Sequence, residues 1–223
     1  MSILNYFSIE LATLYFNAAI AIAAFLALGQ IVVAKETAFN NSKREAVKLA
    51  TDLVKFYLND CVDNNRKSLA YKESKNIILA HLPVRLFFFN MEEVAKKVPK
   101  DIIKHSYALH KDIWDNHREL SRHMLDEMND MEVLSSPFVS GVADSETAFK
   151  SIGISFCSSV ELLWFEYAFY RSFEEDPNFF SSTISLYNNW KGKMEKRKLE
   201  ATKLEVEKEI ARITSQDVKP IGT

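Results

Sequence analysis

Glycine and proline are scarce, with 5 of each among 223 residues. A chain this poor in turn-formers cannot supply the many tight turns of a sandwich or barrel, so an all-α class is expected. Gly29, Gly141, Gly153, Gly192 and Gly222 also stand too far apart for a phosphate-cradling loop, which needs closely spaced glycines. There are only two cysteines, Cys61 and Cys157, which form neither a disulfide framework nor a zinc set and fit a reducing compartment. An excess of charge of one sign is missing too. The 28 Lys and Arg against 30 Asp and Glu give a net charge of -2, so no nucleic-acid partner is expected. What is present is apolar: hydrophobic residues make up 48% and charged residues 26%, a globular composition.

The strongest signal is Leu11 to Ala34, 24 residues without a charge between Glu10 and Lys35. As a helix it would be about 36 Å long, enough to cross a hydrocarbon core of about 30 Å with some tilt. A buried soluble helix rarely runs so far uncharged. A cleaved signal peptide needs a basic n-region, and residues 1–10 hold no Lys or Arg. A single transmembrane helix is therefore expected over 11–34. Lys35, Lys43, Arg44, Lys48 and Lys55 follow it, so the positive-inside rule places residues 1–10 outside and the rest in the cytoplasm.

Small residues mark two faces of this segment. Ala19, Ala23, Ala27 and Gln30 lie on one; Asn17, Ala21 and Ala24 lie on the opposite one. Such residues let helices approach closely in lipid, and a buried amide can bridge two of them, so a homo-oligomer is expected.

The cytoplasmic part, 35–190 with a charged helical tail over 191–223, reads as a helical bundle. Ser42-Lys43-Arg44-Glu45 is a capping box that would start a helix reaching about Asp60; alternatively the anchor helix continues through as one rod of about 75 Å. Asp63-Asn64-Asn65 reads as a turn, and a helix is expected from Ser68 to about His81. Pro83 and Pro99 each suit the first position of a helix. One long helix is expected from Pro99 to about Met131, its stripe running through Tyr107, His110, Trp114, His117, Met124, Met128 and Met131. Pro137 and Gly141 imply a loop, after which Asp144 caps the next helix. That helix, Ser145 to about Glu175, is apolar on almost every side and is expected at the centre of the bundle. The last helix runs from Phe179 to about Thr214, with Leu199, Val206, Ile210 and Ile213 giving weak coiled-coil spacing.

No constellation announces an enzyme. Four histidines, His105, His110, His117 and His123, sit on one stretch but not at metal-ligand spacing, and no metal or cofactor is expected. Glu161 and Glu166 lie in the most apolar helix, where desolvation could tune an acid or base, yet they point about 140° apart. Lys191, Lys193, Lys196, Arg197 and Lys198 form a basic run that could touch an anionic leaflet. The methionine stripe could fill the core or serve as a soft docking surface. Together these features read as a single-pass, non-enzymatic interaction protein that oligomerises in the membrane and displays a helical domain to a protein partner. The alternative is a self-assembling membrane effector, of toxin or defence type, in which Asn17 and Gln30 line or bridge a pore. An anchored enzyme using the buried carboxylates ranks third.

Overall fold

The computed structural model describes residues 3–64, 66–67, 88–173 and 178–216, with backbone alone for 3–24, 173 and 214–216. Every regular element among them is helical, with no strand, as the scarcity of turn-formers implies. By compactness the chain divides into Met1–Lys48 and Leu49–Thr223.

The first helix, α1, runs Ile3–Phe56 without interruption. Of the two alternatives at Ser42, the continuous one is realised. Asn40, Asn41 and Ser42 are weak helix formers by only a few tenths of a kcal/mol each, and all three are exposed, where water satisfies their side chains. The capping box therefore has no helix end to cap. Among the described residues no single helix is long and apolar enough to cross a membrane. Of the stretch Leu11–Ala34, only the ten residues Phe25–Ala34 have described side chains, half of the roughly 20 that a span requires. Within those ten, Phe25, Leu26, Leu28, Ile31, Val32 and Val33 are 62–79% exposed.

The second unit begins on the last turns of α1, where Ala50 is buried, and continues through a π-helical segment, Tyr57–Cys61, whose two end residues are buried. Of the turn expected at Asp63-Asn64-Asn65, the first two residues are helical and Asn65 lies outside the described residues. The Asn64 amide donates to Asp130 at 3.0 Å instead of capping a turn. The helix expected over 68–81 and Pro83 lie outside the described residues.

Six more helices follow: α2 Met91–Lys97, α3 Lys100–Asn116, α4 Arg118–Val139, α5 Ser145–Leu162, α6 Trp164–Phe173 and α7 Ser181–Gln216. Helix α4 packs on α3, α7 and the π-helical segment, α5 packs on α7, and α2 packs on α3 and α6. Pro99 stands one position before α3 and supplies its first accepting carbonyl, to the amide of Ile103 at 3.1 Å. The helix expected from Pro99 to Met131 is two helices, because His117 leaves the helical conformation at φ -129° and ψ 56°. Its carbonyl still accepts from Ser121, so α4 starts directly behind the break. Nor does the chain loop out before Pro137. Pro137 lies in the last turn of α4, and the chain turns only beyond Val139, where Gly141 takes a left-handed φ of 75° and the amides of Val142 and Ala143 close on the Pro137 carbonyl.

The expected central helix is also broken. At Leu163 the chain bends by 59°, and the Leu163 amide is shared between the carbonyls of Ser159 and Val160. Helix α5 turns out one-sided, burying Phe149, Ile152, Phe156 and Val160 while leaving Ile154 72% exposed. The first half of α6 is different: Trp164 through Ala168 are all buried. The bend thus lets five consecutive residues enter the interior, which a straight surface helix cannot do. Asp144 caps α5 as expected, accepting from the Thr147 amide at 2.7 Å.

Trp190 on α7 anchors the interior. It is fully buried, with ring centres of Phe138, Phe149 and Phe156 at 5.8, 5.8 and 4.9 Å, and its indole N–H donates to Ser145 at 2.9 Å. Met124, Met128 and Met131 on α4 are buried and so fill the core. Helix α7 begins against α4: the Glu132 carboxylate accepts from the amides of Ser182 and Thr183 at 3.0 and 2.8 Å. It also accepts from the Thr183 hydroxyl at 2.8 Å. A carboxylate on another helix therefore meets the orphan amides that a local cap ordinarily takes.

Candidate functional site

Among the described residues a cleft of about 510 Å³ lies between α3 and α6. Helix α3 contributes Tyr107, His110, Lys111, Trp114 and Asp115, a set spaced by three and four residues and hence on one face. Helix α6 contributes Phe169 and Tyr170, and Phe179 and Leu125 complete the lining. His110 is the floor. It is buried, its ring centre lies 4.1 Å from that of Phe169, and Trp114 stacks over it at 6.2 Å with the planes 21° apart. Tyr170 stands edge-on to both, 6.2 Å from His110 and 6.0 Å from Trp114. The walls are not fully consumed by packing, since Tyr107 and Trp114 remain 53% and 49% exposed.

Burial sets the electrostatics of this cleft. Desolvation pushes His110 below its ordinary 6.5, so the imidazole is neutral at pH 7. Burial, with the charge of Glu166 beside it, pushes the Tyr170 phenol up to about 12, so it remains a hydrogen-bond donor. Of the lining residues two are charged, the cation Lys111 and the anion Asp115, and both are exposed, while Glu166 lies buried behind Tyr170.

The other expected residues fall elsewhere. Glu161 on α5 accepts from the Tyr187 hydroxyl at 2.9 Å and from Lys191 at 2.5 Å, the basic-and-tyrosine pairing that is the structural alternative to a catalytic acid. Burial and that carboxylate hold the Tyr187 phenol well above its usual range. Glu166 is buried one helix away, on α6. Of the basic run, Lys193 and Arg197 both reach Glu146, at 3.3 and 3.0 Å, and both lie over the Phe149 ring. Lys196 lies 3.9 Å from Glu200, and Lys198 is exposed. On α1, Ala27 and Gln30 are exposed, whereas the side chains of Asn17, Ala19, Ala21, Ala23 and Ala24 lie outside the described residues.

His117 and His123 approach Asp112 and Glu119 at 3.6 and 3.8 Å. Among the described residues no group of three or more His, Cys, Asp or Glu is placed to hold a metal ion. Both thiols are buried, and desolvation raises each to about 12, which keeps them protonated and poorly nucleophilic.

No family model, no curated protein and no solved structure matches this chain. The cleft is not evident in the sequence, although five of its ring-bearing positions are conspicuous there. Tyr107, His110 and Trp114 belong to a stripe that reads as core, and Phe169 and Tyr170 to a helix that reads as central. The usable signal is the pair Lys111 and Asp115, which flank the stripe and mark a face that reaches solvent.

Proposed function

We propose that this chain is a single-pass, non-enzymatic membrane interaction protein. In this reading residues 11–34 cross the bilayer, the chain after Ala34 is cytoplasmic, and the helical domain is displayed to a protein partner. The observation that carries it is α1 itself. Its uncharged stretch of 24 residues belongs to one unbroken helix, Ile3–Phe56, as a membrane helix continuing into its domain would. The second half of α7 supports the partner: Leu199, Val206, Ile210 and Ile213 form one stripe and are each 51–71% exposed. The small residues of 11–34 support self-association within the membrane.

The test is membrane fractionation followed by purification in mild detergent at native expression, with stoichiometry read by native mass spectrometry. The chain should resist carbonate extraction and appear as an oligomer. Combining Ala19→Leu, Ala23→Leu and Ala27→Leu should dissociate that oligomer without releasing the chain from the membrane. Extraction by carbonate overturns the span, and unchanged stoichiometry in the triple variant overturns the packing face.

A further inference from the structure

We propose that the aromatic cleft between α3 and α6 binds an uncharged, planar heteroaromatic small molecule. Its ring stacks on Trp114, and Lys111 and Asp115 read acceptor and donor groups along its edge. Three observations lead to this class. The cleft holds about 510 Å³, the size that takes a whole small ligand, where a partner's single anchoring side chain would leave most of it empty. Its exposed wall is aromatic: Trp114 and Tyr107 keep about half of their surface free, and an aromatic face offers a stacking surface to any flat ring. The wall behind them is fixed by His110, Phe169 and Tyr170 in mutual ring contact, so the slot is already formed.

Charge narrows the ligand. A cation would gain from the ring faces and from Asp115 but would meet the Lys111 ammonium, and an anion would gain from Lys111 but would meet Asp115 and the Glu166 charge behind Tyr170. Opposite charges four residues apart on one helix face instead suit a neutral ring whose edge carries both an N–H donor and a carbonyl or ring-nitrogen acceptor. Asp115 accepts from the former, and Lys111 donates to the latter. A purely hydrocarbon ring would fill the slot but leave these two groups without a role.

The experiment is titration of the full-length chain, in mild detergent, into 2-aminopurine riboside, a fluorescent neutral heteroaromatic whose emission is quenched on stacking. Saturable quenching in the micromolar range is expected. Trp114→Ala should weaken it at least tenfold, and Lys111→Ala and Asp115→Ala should each weaken it severalfold. Trp114 is half-exposed, so its variant should keep the native circular dichroism and melting curve. A misfolded Trp114→Ala leaves the decision to Tyr107→Ala, for which loss of affinity is likewise expected. Unlabelled purine riboside should displace the probe, whereas benzyl alcohol, whose ring edge carries no nitrogen, should not. Absence of saturable quenching up to 1 mM, or equal quenching by both aromatic variants, overturns the site. Equal displacement by benzyl alcohol overturns the edge recognition.

Discussion

At the residue scale, His110 shows how a polar group is made part of an aromatic wall. Its ring lies among Phe165, Phe169, Tyr170 and Trp114, and burial alone lowers its proton affinity. The unfolded chain therefore binds a proton at this histidine more readily than the folded one does. The associated stability is fully present above the unfolded value of about 6.5 and is lost as the pH falls through it toward the lower folded value. Replacing His110 by Phe keeps a flat ring in the same place and removes the titration. Urea unfolding at pH 7, 6 and 5 should show the wild-type chain losing stability more steeply than His110→Phe, with the two curves converging toward pH 7 in slope. Equal slopes would mean that the imidazole is as free to charge in the folded chain as outside it.

At the scale of elements, α5 and α7 each contain one glycine, and the two should behave oppositely. A Cβ on Gly153 would lie 2.5 Å from Cδ2 of the Phe149 ring and 2.9 Å from its Cε2. That ring has little room to yield, held between Trp190 at 5.8 Å and the Arg197 guanidinium at 4.6 Å. Overpacking of this kind costs about 1–3 kcal/mol, more than the roughly 1 kcal/mol that alanine gains over glycine in a helix. Gly192 has nothing within 4 Å of the same position and should deliver the propensity gain alone. Gly153→Ala should therefore lower the melting temperature by several degrees and Gly192→Ala should raise it by about 2–4 °C, both read by thermal unfolding in detergent. A stabilised Gly153→Ala would show that Phe149 is freer than its neighbours imply.

Which element boundaries can be read in advance follows from where their causes lie. The start of α5 is legible because Asp144 caps an amide three residues away, a wholly local interaction. The breaks at His117 and Leu163 have neither glycine nor proline, and Leu163 shares its amide between two carbonyls so that the following residues can turn inward. That cause is tertiary and leaves no local mark. Pro137 misleads in the opposite sense, since one lost amide within the last turn of α4 ends the helix only two residues later. The candidate cleft suffers from the same breaks. Its aromatic residues are plain in the chain, but a stripe drawn straight through His117 assigns Tyr107, His110 and Trp114 to the same face as the core methionines. In the structure the helix stops there, and Tyr107 and Trp114 are half open to solvent.

At the scale of the whole molecule, the described buried residues fall between Ala50 and Trp190, with Leu49 and Met194 partly buried at the edges of that interval, and large apolar residues described farther out on either side are exposed. Before it come Phe25 to Val33 and Phe39; after it come Leu199, Leu204, Val206, Ile210 and Ile213. Single exposed apolar residues need no explanation, but two sustained sets on helices do, because water is a poor medium for each. If one set faces lipid and the other a protein, the two ends are separable. Deleting residues 1–34 removes none of the described core, so the remaining chain should keep its helical circular dichroism and lose carbonate-resistant membrane association. Truncation after Lys198 likewise removes none of the core, and it retains the Glu146 pairs of Lys193 and Arg197. It should melt within about 2 °C of the full chain, a stability change under about 1 kcal/mol, and remain in the membrane. It should nevertheless lose the partner band in native-level crosslinking. A large fall in melting temperature on either truncation would mean that these helices contribute to the fold. The exposed stripes would then be part of the folded unit instead of surfaces held for something outside it.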